Sequence, residues 1–302
     1  MIRQLRKLVF LTVLVLPLVL SAEVRNRYMD YIDRYSMMAV HQMLKYKVPA
    51  SITMAQALLE SAAGNSPLAR DGNNHFGIKC GSSWTGPYML MTDDAPNEHF
   101  RVYSSVEESY EDHSLFLRQN RRYSGLFNLK ETDYAGWARG LKAAGYATAP
   151  HYAESLIQLI ENYDLARLDK TVYKNSEKIK KFETGENYRH QVYMCNGIFY
   201  TIAQDGDSFK QIGKEMGVSE RKLRKYNEVD KRYVLHTGDI VYFEKKPSKA
   251  DKAWKGKWHV VEVGESMYTI SQRFGVQMKT LYKINFKDGD YVPKVGDLIL
   301  LR

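Results

Sequence analysis

Hydrophobic and polar positions divide the chain into stretches of different period. Residues 8–20 are apolar apart from Thr12 and contain Pro17. They follow basic Arg3, Arg6 and Lys7 and end at Ser21-Ala22, before polar Glu23. The run is shorter than the roughly 20 apolar residues of a spanning helix. Residues 1–22 therefore read as a signal peptide, and the chain as exported to a periplasm, cell envelope or exterior with no stable membrane span after cleavage. Apolar positions then recur at helical spacing over 25–45. Beyond Pro49, an almost wholly apolar helix is predicted over 52–63, stopped by Gly64-Asn65. Residues 73–103 are turn-rich and strand-compatible. Ser105-Val106-Glu107-Glu108 is a capping box, and two more helices are predicted over 133–144, ended by Gly145, and over 150–165.

The C-terminal part repeats itself. Gly206-Asp207-Ser208 recurs as Gly264-Glu265-Ser266, and the same offset of 58 takes Ile212 to Ile270, Gly217-Val218 to Gly275-Val276, Leu223 to Leu281, Asn227 to Asn285 and Gly238-Asp239 to Gly296-Asp297. Each copy reads as strand, Ser-capped helix, short helix ending at the Asn, and closing strand, a βααβ unit. Polar stretches 171–189 and 244–257 hold too little apolar content for a core and read as linkers. The predicted domains are thus 23–170, 190–243 and 258–302.

Charge is distributed unevenly. The formal net charge is +9, with a balance of −2 over 23–170 and +8 over 171–302. A basic C-terminal half attracts an anionic polymer. Behind a signal peptide, that is a cell-wall polymer rather than nucleic acid. Cys80 and Cys195 make no disulfide framework.

The candidate chemistry centres on Glu60, a lone carboxylate closing the apolar run Ala55-Gln56-Ala57-Leu58-Leu59-Glu60-Ser61. Burial against apolar neighbours raises a carboxyl pKa, and an acid protonated near neutrality can protonate a glycosidic oxygen. A capping or paired helix-end Glu is the alternative. Cys80 with His75 lacks a recognisable orienting partner for a nucleophile. The eight His show no cluster of metal ligands, and no cofactor is indicated.

Five motifs in order carry a family resemblance: the Glu60 segment, His75-Phe76-Gly77-Ile78-Lys79, Trp84-Thr85-Gly86, Phe100-Arg101-Val102-Tyr103 and Gly145-Tyr146-Ala147-Thr148. They resemble the bacterial glucosaminidase family (glycoside hydrolase family 73-like), as in flagellar-rod peptidoglycan hydrolases and autolysins. The two repeats resemble LysM domains. The resemblance implies an α+β protein: a lysozyme-like, mostly helical catalytic domain with a small β-wing, then two βααβ LysM modules. It implies hydrolysis of the β-1,4 bond after N-acetylglucosamine in peptidoglycan, with Glu60 as general acid and Tyr146 as the family's important aromatic. The family's second carboxylate, usually a Glu in the wing, falls at Asp93-Asp94. Asp93 directly follows Thr92; Asp94 and Glu98 remain open. Trp84 and Tyr152 are candidate sugar contacts, with a wing-core or wall role as the alternative. The LysM resemblance implies N-acetylglucosamine-glycan binding in loops 205–209 with 227–230, and 263–267 with 285–287. Gly206, Asp207, Asn227, Gly264, Glu265 and Asn285 are the candidate residues. A catalytically impaired wall-binding protein, a muramidase and a glycoprotein endoglycosidase remain as alternatives. Oligomeric state and stereochemical mechanism are not legible.

Overall fold

The computed structural model describes residues 27–81, 84–93, 95–172 and 189–302. The expected signal peptide, most of the expected first linker and Asp94 lie outside the described residues. These residues form two compact units, one within Tyr31–Asn187 and the other built on Tyr188–Arg302. Among the described residues, no helix is long and apolar enough to cross a membrane.

The first unit contains α1 (27–46) from Tyr31 onward, α2 (Ala50–Glu60), α3 (Pro67–Gly72), the hairpin β1 (Tyr88–Met91) and β2 (Glu98–Arg101), and α4 (Val106–Gln119). A 3-10 segment (Arg121–Asn128), α5 (Tyr134–Ala143), α6 (Tyr152–Asn162) and α7 (166–172) complete it. Helix α2 is the centre. Residues 50–58 are all buried, and a helix apolar on every side must be enclosed; α5 and α6 pack against it. Its N-terminus is held by Asp169 of α7, which accepts from Ser51 N (2.9 Å) and Ser51 Oγ (2.6 Å). Such a carboxylate satisfies donors that the first helical turn leaves unpaired.

Helix α2 ends earlier than its composition predicts. Ala62, Ala63 and Gly64 all adopt left-handed φ (50°, 52° and 79°), although alanine is the strongest helix former. Tertiary packing overrides that propensity. Gly64 N donates to Ser61 Oγ (2.8 Å), and a Cβ on Gly64 would sit 3.2 Å from the Tyr31 ring. The turn leaves Glu60 at the helix mouth instead of mid-helix. Ser66 then caps α3 with Pro67 at its first position.

The wing is antiparallel, with Tyr88 opposite Arg101 and Met91 opposite Glu98. Cys80 N to His99 O (2.8 Å) and Arg101 N to Ile78 O (3.0 Å) add residues 78–80 along its edge. The Asn74 amide ties the wing to the helices, accepting from Ile78 N and donating to the Ile78 and Arg101 carbonyls. The Ser105 cap of α4 forms as expected. The Glu108 carboxylate, however, takes Ser104 N (2.9 Å) rather than the N–H of the cap itself.

The second unit holds the repeats. The first copy comprises β3 (Tyr193–Cys195), β4 (Ile198–Ile202), α8 (Phe209–Met216), α9 (Glu220–Tyr226) and β5 (Ile240–Tyr242), in sheet order β3-β4-β5. The second comprises β6 (Trp258–Val260), α10 (Met267–Arg273), α11 (Met278–Ile284) and β7 (Leu298–Leu300). Equivalent residues Ile212 and Ile270, Leu223 and Leu281, Val241 and Ile299 are fully buried. The first copy adds a strand to the expected pattern. Asn196-Gly197, both at positive φ (50° and 74°), form the two-residue turn that joins β3 to β4.

The expectation of a solvated segment at 244–257 is corrected. Lys246 is 1% exposed and its Nζ meets Glu228 Oε2 (2.8 Å), Ser271 Oγ (2.6 Å) and Gln272 Oε1 (2.5 Å). Trp254 is buried edge-on against Phe274. The lysine-rich composition concealed one cation whose three partners come from both copies. Burying an ammonium is tolerable only with such partners. Replacing Lys246 by Ala leaves Glu228 without its counter-ion and Gln272 Oε1 without its donor, and is expected to lower the unfolding free energy of this unit by about 2–4 kcal/mol. The measurement is a urea transition, with Lys222→Ala on an exposed face of α9 as the near-neutral control.

Candidate active site

Glu60 sits at the last position of α2, half-buried, while Leu59 beside it is exposed. Burial pushes the Glu60 carboxyl up to about 7; the Tyr152 hydrogen bond opposes this and the Asp93 charge adds to it. Tyr152, the first residue of α6, is buried and donates its hydroxyl to Glu60 Oε1 (3.0 Å). Gln56, one turn before Glu60, donates Nε2 to the Tyr152 oxygen (2.9 Å), and its Oε1 faces His113 Nε2 (3.1 Å). His113 on α4 is fully buried and stacked on Phe76 at 4.0 Å. Burial pulls its pKa down to about 3, so it is a neutral ring near neutrality.

Tyr146 leaves the loop after α5 and stacks on Tyr152 (centroids 5.7 Å), with Tyr123 and His113 behind it. Two cations hold that loop. Arg122 donates to the Ala144 and Gly145 carbonyls, and Lys142 to those of Ala147 and Thr148. Gly145 has φ +73°, and a Cβ there would meet Arg122 at 3.0 Å. Burial first, then the Glu60 charge, pushes the Tyr146 hydroxyl pKa well above its usual value. Both tyrosines therefore stay protonated donors.

On the wing, Asp93 is exposed and ion-paired with Lys79 (3.0 Å), which also holds Glu98 (2.8 Å). Glu60, Tyr152, Tyr146 and Asp93 thus form one electrostatic group. Trp84 stands apart at the wing base. Its Nε1 donates to Pro87 O (3.0 Å), the Arg101 guanidinium covers its ring at 4.7 Å, and Tyr103 meets it edge-on. Arg101 is fixed in turn by Asp112. The Cys80 thiol is pushed up by burial, opposite to an activated nucleophile, and His75 Nδ1 is bonded to the Tyr31 hydroxyl at 2.5 Å. Neither is arranged as a Cys-His peptidase pair.

The sequence profile of the glucosaminidase family, described as mannosyl-glycoprotein endo-beta-N-acetylglucosaminidase, matches residues 37–165. That of the LysM domain matches 201–242 and 259–302. The chain holds a glucosaminidase domain followed by two LysM domains. It is 36% identical over 176 residues to exo-glucosaminidase LytG of Bacillus subtilis, covering 53% of this chain and 61% of that protein. Peptidoglycan hydrolase FlgJ of Escherichia coli K12 is 35% identical over 126 residues, 38% of this chain and 40% of FlgJ. An autolysin of Enterococcus faecalis is 25% identical over 286 residues, 84% of this chain and 37% of the autolysin. The chain therefore spans less than two thirds of the length of each of these relatives.

In the LysM domains, the side chains of Asn227 and Asn285 turn inward. Asn227 donates to the Leu223 and Tyr242 carbonyls and accepts from Tyr242 N. Asn285 does the same with Leu281 and Leu300. Asp207 accepts from Gln204 N and faces His190, and Glu265 accepts from Glu262 N and faces His259. These four side chains shape the two loops from within. Gly206 and Gly264 supply positive φ (76° and 84°) in the first of them. What differs between the copies is the loop surface. Val263 and Phe286 are 87% and 97% exposed on the second domain. The same offset places Asp205 and Glu228 there on the first, and Glu228 is engaged by Lys246 and by Met278 N (3.0 Å).

Gln56, His113 and Lys79 were missed as partners in the site. Gln56 was inside the quoted motif, and its spacing of four from Glu60 puts both on one helix face; His113 gave no signal beyond a polar residue on an apolar stripe.

The Glu60 pKa has a stability consequence. Its folded-state value of about 7 lies above the reference value of 4.5. Ionisation therefore costs fold stability as pH rises from about 4.5 through 7. Glu60→Gln removes that penalty and should raise the unfolding free energy at about pH 8 by on the order of 1–3 kcal/mol, with little difference at about pH 4. Denaturant titrations of both proteins at the two pH values check this.

Proposed function

We propose that this protein is an exported peptidoglycan hydrolase whose glucosaminidase domain cleaves the β-1,4 bond after N-acetylglucosamine. The observation that carries the reading is Glu60, a carboxyl raised to about 7 at the end of a buried helix, where it accepts from Tyr152 and feels the charge of Asp93 on the wing. Glu60 protonates the leaving glycosidic oxygen, and burial keeps it protonated until that step. Asp93 activates water or stabilises the developing positive charge on the sugar ring. Its Lys79 partner anchors an exposed turn that would otherwise place the carboxylate loosely. Tyr146 supports the reading as a protonated aromatic donor beside the same carboxyl. The similarity to an exo-glucosaminidase, a peptidoglycan hydrolase and an autolysin agrees with it.

The LysM domains hold the enzyme on its polymer and raise the effective substrate concentration. The second domain provides the binding surface, since its loop residues Val263 and Phe286 are apolar and exposed where the first has Asp205 and an engaged Glu228.

Two measurements test the proposal. Purified sacculi digested with the wild-type protein should yield new N-acetylglucosamine reducing ends, with kcat falling as pH rises through about 7. Glu60→Gln should lose at least about a thousandfold in rate, as expected for a general acid and its positioning together. N-acetylmuramic acid ends would identify a muramidase instead, and equal activity of the two proteins would remove Glu60 from the mechanism. In wall co-sedimentation, Phe286→Ser should weaken binding about tenfold, the size expected for one large apolar contact. Asp205→Ser on the exposed loop of the first domain should leave affinity within about twofold.

A further inference from the structure

Glu60 has two oxygens, and only one can deliver a proton to substrate. The structure shows how the choice is made. His113 Nε2, Gln56, Tyr152 and Glu60 Oε1 form a line of hydrogen bonds of 3.1, 2.9 and 3.0 Å. His113, Gln56 and Tyr152 are each at most 4% exposed, so water does not compete for their groups. The line can run in two directions. In the direction set by the Gln56 amide, which donates Nε2 to the Tyr152 oxygen, the Tyr152 O–H donates to Glu60 Oε1 and Gln56 Oε1 requires the imidazole proton on His113 Nε2. In the reverse direction, Glu60 carries its proton on Oε1 and donates to Tyr152. The Tyr152 hydroxyl then donates to Gln56, the amide donates to His113 Nε2, and the imidazole proton moves to Nδ1.

The His113 ring decides between them. Its Nδ1 is buried with no hydrogen-bond partner. The first direction leaves a bare lone pair there, whereas the reverse leaves an orphaned N–H, which is rarer in native interiors than an unpaired acceptor. Phe76 is stacked on the face of the ring. We propose that Gln56 and His113 are positioning residues for the general acid: together they aim the Tyr152 O–H at Glu60 Oε1, so that the transferable proton resides on Oε2. This rests on Glu60 being the acid, but the direction of the line is a property of the resting protein. The other groups facing Glu60 are Asp93 from the wing and Tyr146 from the α5–α6 loop, and neither belongs to the line.

A double-mutant cycle read by the carbon-13 titration of the Glu60 side chain, without substrate, tests the direction. Tyr152→Phe removes a donor to the carboxylate and should raise the Glu60 midpoint by about one unit. Gln56→Glu places an acceptor where the amide donated, which turns the Tyr152 hydroxyl away from Glu60. In that background Tyr152→Phe should change the midpoint by less than about a third as much. Uncharged Gln56→Met lets the hydroxyl point either way and should halve the effect; it also serves if the buried acid of Gln56→Glu impairs folding. Equal Tyr152→Phe shifts in all backgrounds, or no shift in the wild-type background, would overturn the proposal. A reduced shift in either Gln56 background supports it. The sacculus assay then separates the two readings. A correct cycle with an inactive wild-type protein would remove the hydrolase assignment and leave the direction of the line standing.

Discussion

The site depends on one electrostatic constraint, the placement of an ionisable carboxyl at the end of a helix that is buried on every side. Residues 50–58 of helix α2 are all buried, so its last residue, Glu60, emerges half-buried from a low-dielectric surround. The neutral form is favoured there because the charged form has lost part of its hydration. The features around it maintain that placement. Asp169 secures the far end of the helix, the left-handed Ala62-Ala63-Gly64 turn stops it at Glu60, and Tyr146 and Tyr152 wall the apolar side. The same burial opposes fold stability once Glu60 ionises, so a proton-holding acid is gained at some cost in robustness.

The second unit shows a parallel economy. Two copies of one module do not behave as two beads on a string, because a lysine between them is buried among acceptors from both. Gln272 adds to the junction, with its Nε2 reaching Asn227 Oδ1 (3.1 Å) and Ile240 O (2.8 Å). A loop position that is apolar and exposed in the second copy is therefore acidic and engaged in the first. Duplication supplied two similar folds, and the contact between them made the copies unlike.

Much of this was legible in the residues themselves. The helices, the Ser208 and Ser266 caps, the closing strands and the register of the repeat follow from periodicity and local hydrogen bonding, which need only near neighbours. Glu60 was legible for the same reason, as a single charge on an apolar helix. The early stop of α2 was not, since alanine propensity points the other way and only Tyr31 contradicts it. The enclosure of Lys246 was equally hidden, because a charge-rich segment looks solvated until its partners arrive from elsewhere in the chain.

By itself, then, the sequence determined most of the elements, the duplicated module and the candidate acid, through short-range patterns each carried by a few consecutive residues. Tertiary structure decided the state of that acid. The pKa of Glu60 and the direction of the line from His113 through Gln56 and Tyr152 depend on groups 57, 92 and 96 positions apart in the chain. No local pattern encodes their meeting. Desolvation and hydrogen-bond direction exist only once packing has brought them together and excluded water.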